Sequence, residues 1–243
     1  MMHDAMMKHA QTTLRLFVMV GVLLSTTGAA MAQHLEKVTA LCDSAAVVAA
    51  SSKLDAVRIY EEALDLAEKL GEKGAEIAGT CRQSIRRLYL DLGNEWLAEN
   101  NPDRAVKAFV QAVDYGDEAM ANEMLSNIFI AKSVACLKVK DMKGALENAQ
   151  KSAQYVDNPT AERLIGISAL SLKQNKVAVD ALEAYLSMNP KAFTEEPGFV
   201  YYLCLALVAT GDNEKACSYF QQIAEDEEFG MAARYQLVTL KCK

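Results

Sequence analysis

A pair of small residues twelve positions apart recurs five times along this chain, and no other feature limits its fold so tightly. The pairs are Ser44/Ala56, Gly93/Ala105, Ser133/Ala145, Gly166/Ala178 and Cys204/Ala216. Around them, apolar residues follow helical rather than strand spacing. Tyr89, Leu92 and Trp96 share one helical face, Asn100-Asn101-Pro102-Asp103 interrupts it, and Ala105, Phe109 and Ala112 share the face of a second helix. Asn and Asp favour turns and caps, and Pro suits the first turn of a helix. The stretch therefore reads as a helix–turn–helix hairpin, in which Gly93 and Ala105 let two helix axes approach closely. Four residues past the second member stand Tyr60, Phe109, Ala149, Leu182 and Phe220, and Gly211-Asp212-Asn213-Glu214-Lys215-Ala216 marks the last turn. With only 12 glycines and 4 prolines in 243 residues, a turn-rich sandwich, a propeller or a collagen is excluded.

The hairpins begin after a separate N-terminal segment. Lys8 and Arg15 precede the run Leu16-Phe17-Val18-Met19-Val20-Gly21-Val22-Leu23-Leu24, and small residues end in Ala30-Met31-Ala32 before Gln33. A basic region, a short apolar run and an A-x-A site predict a secretory signal over 1–32, cleaved after Ala32. The apolar run is about half of what a bilayer span needs. Removing 1–32 takes Lys8 and Arg15 from the 25 cationic side chains and Asp4 from the 32 acidic ones, so the net charge moves from −7 to −8. It also removes His3 and His9, leaving His34 as the last histidine. The acidic balance and the lack of a basic cluster argue against a nucleic-acid partner. The expected location is the periplasm or the medium of a Gram-negative cell, with no transmembrane segment after cleavage.

With Leu92-Gly93, Trp96, Ala105, Phe109 and Ala112 in place, the chain resembles the tetratricopeptide repeat family. The resemblance covers most of 37–226. It is weakest in the first and third hairpins, where Asp43 and Lys132 stand at usual leucine positions. It implies an all-α fold, a right-handed superhelical array of antiparallel hairpins (an α-solenoid). The hairpins are expected over about 37–70, 86–117, 126–158, 159–192 and 197–228, with a capping helix over 229–243. Second-helix alanines lie 49, 40, 33 and 38 residues apart, against a family period of about 34. The extra length falls near 71–85, 116–125 and 191–196. Ile77, Cys81, Ile85, Leu88, Leu92 and Trp96 keep helical spacing, which predicts one long helix from about Ala75 to Ala98.

Catalysis finds little support in the residues. Cysteine or serine nucleophiles usually need a histidine partner, and only His34 survives the expected processing. No C-x-x-C, H-E-x-x-H, EF-hand or glycine-rich phosphate loop is present. The run Glu225-Asp226-Glu227-Glu228 reads as a solvated helix end rather than a cation site. The expectation is a non-enzymatic protein with no catalytic, cofactor-binding or metal-binding residues. Six cysteines follow the signal. Among them Cys204 and Cys217, on the two helices of one hairpin, are the leading candidates for a bridge within a repeat.

What remains is binding. The resemblance implies that first helices of successive hairpins line a concave surface that takes a peptide or a partner helix. Carried over residue by residue, that surface holds Leu41, Cys42 and Ala45; Leu90, Asp91, Asn94 and Leu97; Asn127, Ile130, Ala131, Val134 and Lys138; Arg163, Leu164 and Ile167; and Tyr201, Tyr202 and Leu205. The lining is mostly apolar, and the family's dicarboxylate clamp of Lys, Arg and Asn is not reproduced. Leu90, Ile130, Leu164 and Leu205 are expected in the core instead. The partner-binding residues expected are Asp91, Asn94, Asn127, Lys138, Arg163, Tyr201 and Tyr202. Adjacent Tyr201 and Tyr202 cannot both face inward. The expected function is a protein–protein interaction scaffold or adaptor of the periplasm or envelope. The alternatives are a structural component of an envelope-assembly complex and an accessory subunit of an exported enzyme.

Overall fold

A computed structural model describes residues 30–116 and 119–242. All but the last three residues of the expected export signal lie outside them. The chain parts at 117/118 into two compact units, and among the described residues the only regular structure is helical.

In the first unit, α1 is helical over 30–48 and α2 spans Lys53–Lys69. A short 3-10 turn at Gly71–Gly74 leads into α3 (Ala75–Ala98), and α4 is Pro102–Asp114. The extra residues near 75–85 are thus helix and not loop, because the apolar stripe Cys81, Ile85, Leu88 and Leu92 stays buried along α3. The second unit holds α5 (Ala119–Lys138), α6 (Met142–Tyr155), α7 (Pro159–Ser171) and α8 (Asn175–Met188). These are followed by α9 (Ala192–Glu195), α10 (Pro197–Thr210), α11 (Asn213–Gln222) and α12 (Gly230–Thr239). Here too length expected between repeats is largely helical, since α5 takes up 119–125.

The turns repeat one device. Asn100, Lys140, Lys173 and Gly211 each follow a first helix with left-handed backbone (φ 57°, 61°, 59° and 90°). The next amide then donates back to a carbonyl in the last helical turn: Asn101 to Trp96, Asp141 to Cys136, Gln174 to Ala169 and Asp212 to Leu207, at 2.8 to 2.9 Å. This is the Schellman closure, which satisfies carbonyls that the helix end would otherwise leave free. The residue that completes it also starts the next helix. Asn101, Asp141 and Asp212 cap α4, α6 and α11 through side-chain oxygens that accept from Arg104, Gly144 and Lys215 amides. Three of the four prolines open helices, at Pro102, Pro159 and Pro197.

The small pairs sit where helices touch. A side chain on Gly93 would meet the Phe109 ring at 2.5 Å, and one on Gly166 would meet Leu182 Cδ2 at 1.9 Å. The Ser133 hydroxyl donates to the Ala145 carbonyl at 2.8 Å, and Ser126 and Ser152 share a hydrogen bond of 2.8 Å. The α5–α6 hairpin has Ala149 where the others have a bulky residue, and these buried polar links occupy its interface. The first hairpin departs from the expected register. Ala45 is fully buried while Ser44 is exposed. The stripe Val38, Leu41, Cys42 and Ala45 turns α1 by one residue so that its apolar face meets α2 and α3. Ala45, expected in the binding surface, is therefore core.

The cysteine expectation is also corrected. Cys217 pairs with Cys242, with Cα atoms 5.7 Å apart, and Cys204 is a free, fully buried thiol. Cys217 follows Ala216, which faces the hairpin interface, so it points about 100° round the helix and reaches the end of α12. The last helix is thereby fastened to the preceding hairpin. Lys241 and Cys242 repeat the same turn closure seen between earlier helices (Cys242 amide to Leu237 carbonyl, 2.9 Å).

Candidate functional site

A groove of about 850 Å³ lies within the second unit. Its walls come from α7, α8, α10 and the segment before α12. Ile167 and Leu170 project from α7, Leu182 from α8, and Phe199, Leu205 and Ala206 from α10, with Phe229 closing one end. α10 is apolar around its whole circumference. Val200, Leu203, Cys204 and Leu207 are buried with Leu186, Phe220 and Ile223, and Phe199, Tyr202, Leu205 and Ala206 supply the groove. The groove size and apolar lining with a few polar groups are those of a binding cleft.

A polar chain borders the groove. Glu196, at the entry to α10, accepts a hydrogen bond from the Tyr185 hydroxyl at 2.5 Å and an ion pair from Arg163 at 3.0 Å. Asn189 donates to the Tyr185 oxygen at 3.0 Å. Burial, and after it the bond to Glu196, holds the Tyr185 hydroxyl above the ordinary tyrosine range. Tyr185 thus stays a neutral donor, packed edge-on against Phe199 at 4.7 Å between ring centres. Glu228 adds a second carboxylate to the lining, so carboxylates outnumber cations two to one around the opening. Gly198 allows Phe229 to lie against the start of α10, because a Cβ there would meet the ring at 2.7 Å.

The register of the hairpins decides what these elements are. From α3 onward the first helix of each hairpin ends in the same left-handed closure, and Gly93 and Gly166 meet Phe109 and Leu182 across their hairpins. Each unit is built of packed helix hairpins. Among solved structures, it is similar to YrrB, described as a TPR protein with an unusual peptide-binding site. That match has 16% identity over 80% of this chain and 89% of that one, with a TM-score of 0.38. It is also similar to the MamA protein, at 19% identity over 72% of this chain and 94% of that one, with a TM-score of 0.35. No family model matches the sequence, and no curated protein matches it. The hairpin assignment rests on the helices and turn closures of this chain itself.

The repeat-derived site residues separate. Arg163 and Tyr202 line the groove, whereas Tyr201 does not. Tyr202 is exposed, and Tyr201 turns into the core against Phe220 and Phe229, at 5.8 and 5.7 Å between ring centres. Ile167 and Leu205 from the carried-over set are at the groove, and Leu164 is buried in the core. Asn127 and Lys138 are exposed on α5 and are not part of the lining. Asp91 and Asn94 are exposed on α3 in the first unit. Asp91 there adds to the attraction on Lys53, whose ammonium pairs with Glu95 at 2.6 Å. Trp96 is half-buried.

Sequence reasoning missed Glu196, Gly198, Glu228 and Phe229. All four lie in or next to segments between hairpins, where the repeat pattern offers no position to carry over. The acidic run holds a turn: the Asp226 carboxylate accepts from the Glu228 and Phe229 amides at 3.0 and 2.7 Å, which sets Phe229 at the groove end. Among the described residues, no group of three or more His, Cys, Asp or Glu is arranged to hold a metal ion, and no helix is long and apolar enough to cross a membrane.

Proposed function

We propose that this chain is a non-enzymatic protein–protein interaction scaffold that takes up an amphipathic partner segment in the groove between α7, α8 and α10. The observation that carries this reading is the groove itself, apolar along its walls and bordered by an arginine already paired with Glu196. A carboxylate-bearing peptide would have to break that pair, and it would meet Glu228 as well. A segment with apolar side chains on one face and a lysine or arginine at its edge fits both the walls and the excess of carboxylate. The signal-like segment ending Ala30-Met31-Ala32 supports work in the periplasm or envelope.

A second reading, a fixed component of an envelope-assembly complex, is favoured by α12. Met231, Tyr235 and Val238 form one stripe on that helix and are 78%, 69% and 78% exposed, a face of the kind that stacked repeats bury.

The test compares the native chain with Tyr202→Ala and Leu205→Glu variants as baits in envelope extract, with captured proteins identified by mass spectrometry. The scaffold reading expects a partner held by the native chain and lost by both variants, with unchanged helical circular dichroism. Equal capture by all three baits would contradict the groove as the binding site. Loss of capture only on changing Met231 and Tyr235 would favour the second reading.

A further inference from the structure

Two thiols in the first unit stand in contact and take no part in the proposed binding site. Cys42 on α1 and Cys81 on α3 lie with their sulfurs 3.3 Å apart, although 39 residues separate them in the chain. Cys81 is fully buried among Val38, Ala45, Val57 and Ile85, while Cys42 is only half-buried and open to solvent on one side. The remaining free thiols differ. Cys204 is buried alone in the second unit's core, and Cys136 has Asn148 Nδ2 beside it at 3.8 Å rather than a second thiol.

We propose that Cys42 and Cys81 form an oxidisable dithiol, a modification site that closes by exchange with a disulfide oxidant and staples α1 to α3. Burial orders the chemistry. The Cys42 thiolate attacks one sulfur of the oxidant, whose S–S bond breaks and releases one thiolate. Cys81 then gives up its proton and attacks the Cys42 sulfur, expelling the second thiolate. Two protein thiols are oxidised to one disulfide, and the oxidant is reduced to two thiols. Desolvation pushes the Cys81 thiol up to about 12, so it is a poor first nucleophile and suits the resolving role beside a sulfur already within reach. Closing the bond needs the sulfurs to approach from contact to about 2.05 Å. The product ties together two helices that the chain itself connects only through α2 and the 3-10 turn. Helix α1 is held by a single stripe (Val38, Leu41, Cys42 and Ala45), and it is the element whose docking the bridge fixes.

The experiment incubates the folded chain with oxidised glutathione, quenches by acid, blocks thiols under denaturing conditions and maps peptides without reductant. The expected result is a cross-linked peptide joining Cys42 to Cys81, lost on adding dithiothreitol, with slower backbone hydrogen exchange across 33–48. A glutathione adduct that persists at Cys42 with Cys81 still alkylated, or no reaction at either residue, would overturn the proposal. Two variants check the order of attack. Cys81→Ala should accumulate the adduct at Cys42, and Cys42→Ala should leave Cys81 unmodified. An adduct on Cys81 in the latter would contradict the assignment of Cys42 as the entry point.

Discussion

Gly166 has no room for even a methyl group. Its virtual Cβ falls 1.9 Å from Leu182 Cδ2, and Leu182 is fully buried. Gly166→Ala is therefore expected to destabilise the second unit by about 1–3 kcal/mol through overpacking, seen as a lower urea midpoint. The opposite is expected at Lys140 and Lys173. Both hold left-handed backbone at hairpin turns (φ 61° and 59°), where a β-carbon costs roughly 1–2 kcal/mol. Glycine there relieves that cost and adds some chain entropy to the unfolded state. Lys140→Gly and Lys173→Gly should each raise stability by about 0.5–1 kcal/mol. Gly211 already fills the equivalent position in the last hairpin.

Titration gives a further residue-scale expectation. Tyr115 donates to Glu61 at 2.8 Å, and burial, followed by that bond, raises its hydroxyl well above the ordinary range. Tyr89, Tyr185 and Tyr219 are raised as well, each first by burial. A raised folded-state value means that the folded chain binds the proton more tightly than the unfolded chain. Its stabilisation is complete below pH ~10, the ordinary tyrosine value, and is lost as pH climbs through the raised values. Urea midpoints should fall steeply above about pH 10, and Tyr115→Phe should flatten part of that fall. A Tyr115→Phe curve parallel to the native one across that range would contradict the assignment.

At the scale of elements, the hairpins were legible because their signal is local. Small residues twelve apart and Asn-Pro or Gly-Asp turns are short-range patterns, and each has a direct physical role in the helix contact or the turn closure. Legibility failed where the choice depended on packing against a distant element. Ser44 and Ala45 are both small, so spacing alone could not decide which faces inward; the burial of Val38 and Leu41 against α2 and α3 decides it. The Cys217–Cys242 bridge joins the outward side of α11 to the end of α12, which no hairpin rule relates. That bridge closes a loop with a sequence separation of 25, worth about 3 kcal/mol on a chain-entropy view. Cys242→Ser should leave the earlier hairpins intact and release α12, because stacked repeats are coupled chiefly to their neighbours. Hydrogen exchange across 230–242 should quicken while α5 to α8 stay protected; uniform loss of protection would contradict this.

For the whole molecule, the candidate site emerges from segments that the repeat pattern leaves irregular. α7 and α10 supply apolar walls at repeat positions, but Glu196 and Phe229 come from connections between hairpins. They set the charge and close the end of the groove. This explains why Arg163 and Tyr202 belong to the lining while Asn127 and Lys138, chosen by the same rule, do not. It also explains why the arginine is a poor anion receptor, since Glu196 already engages it. On the proposed reading, this groove receives the partner. The most direct measurement places a photoreactive benzophenone side chain at position 202 or, as a control, at position 127, irradiates cells making each form, and looks for covalent partner adducts. An adduct is expected from position 202, abolished by Leu205→Glu, and none from position 127. An adduct from 127 with none from 202 would contradict it.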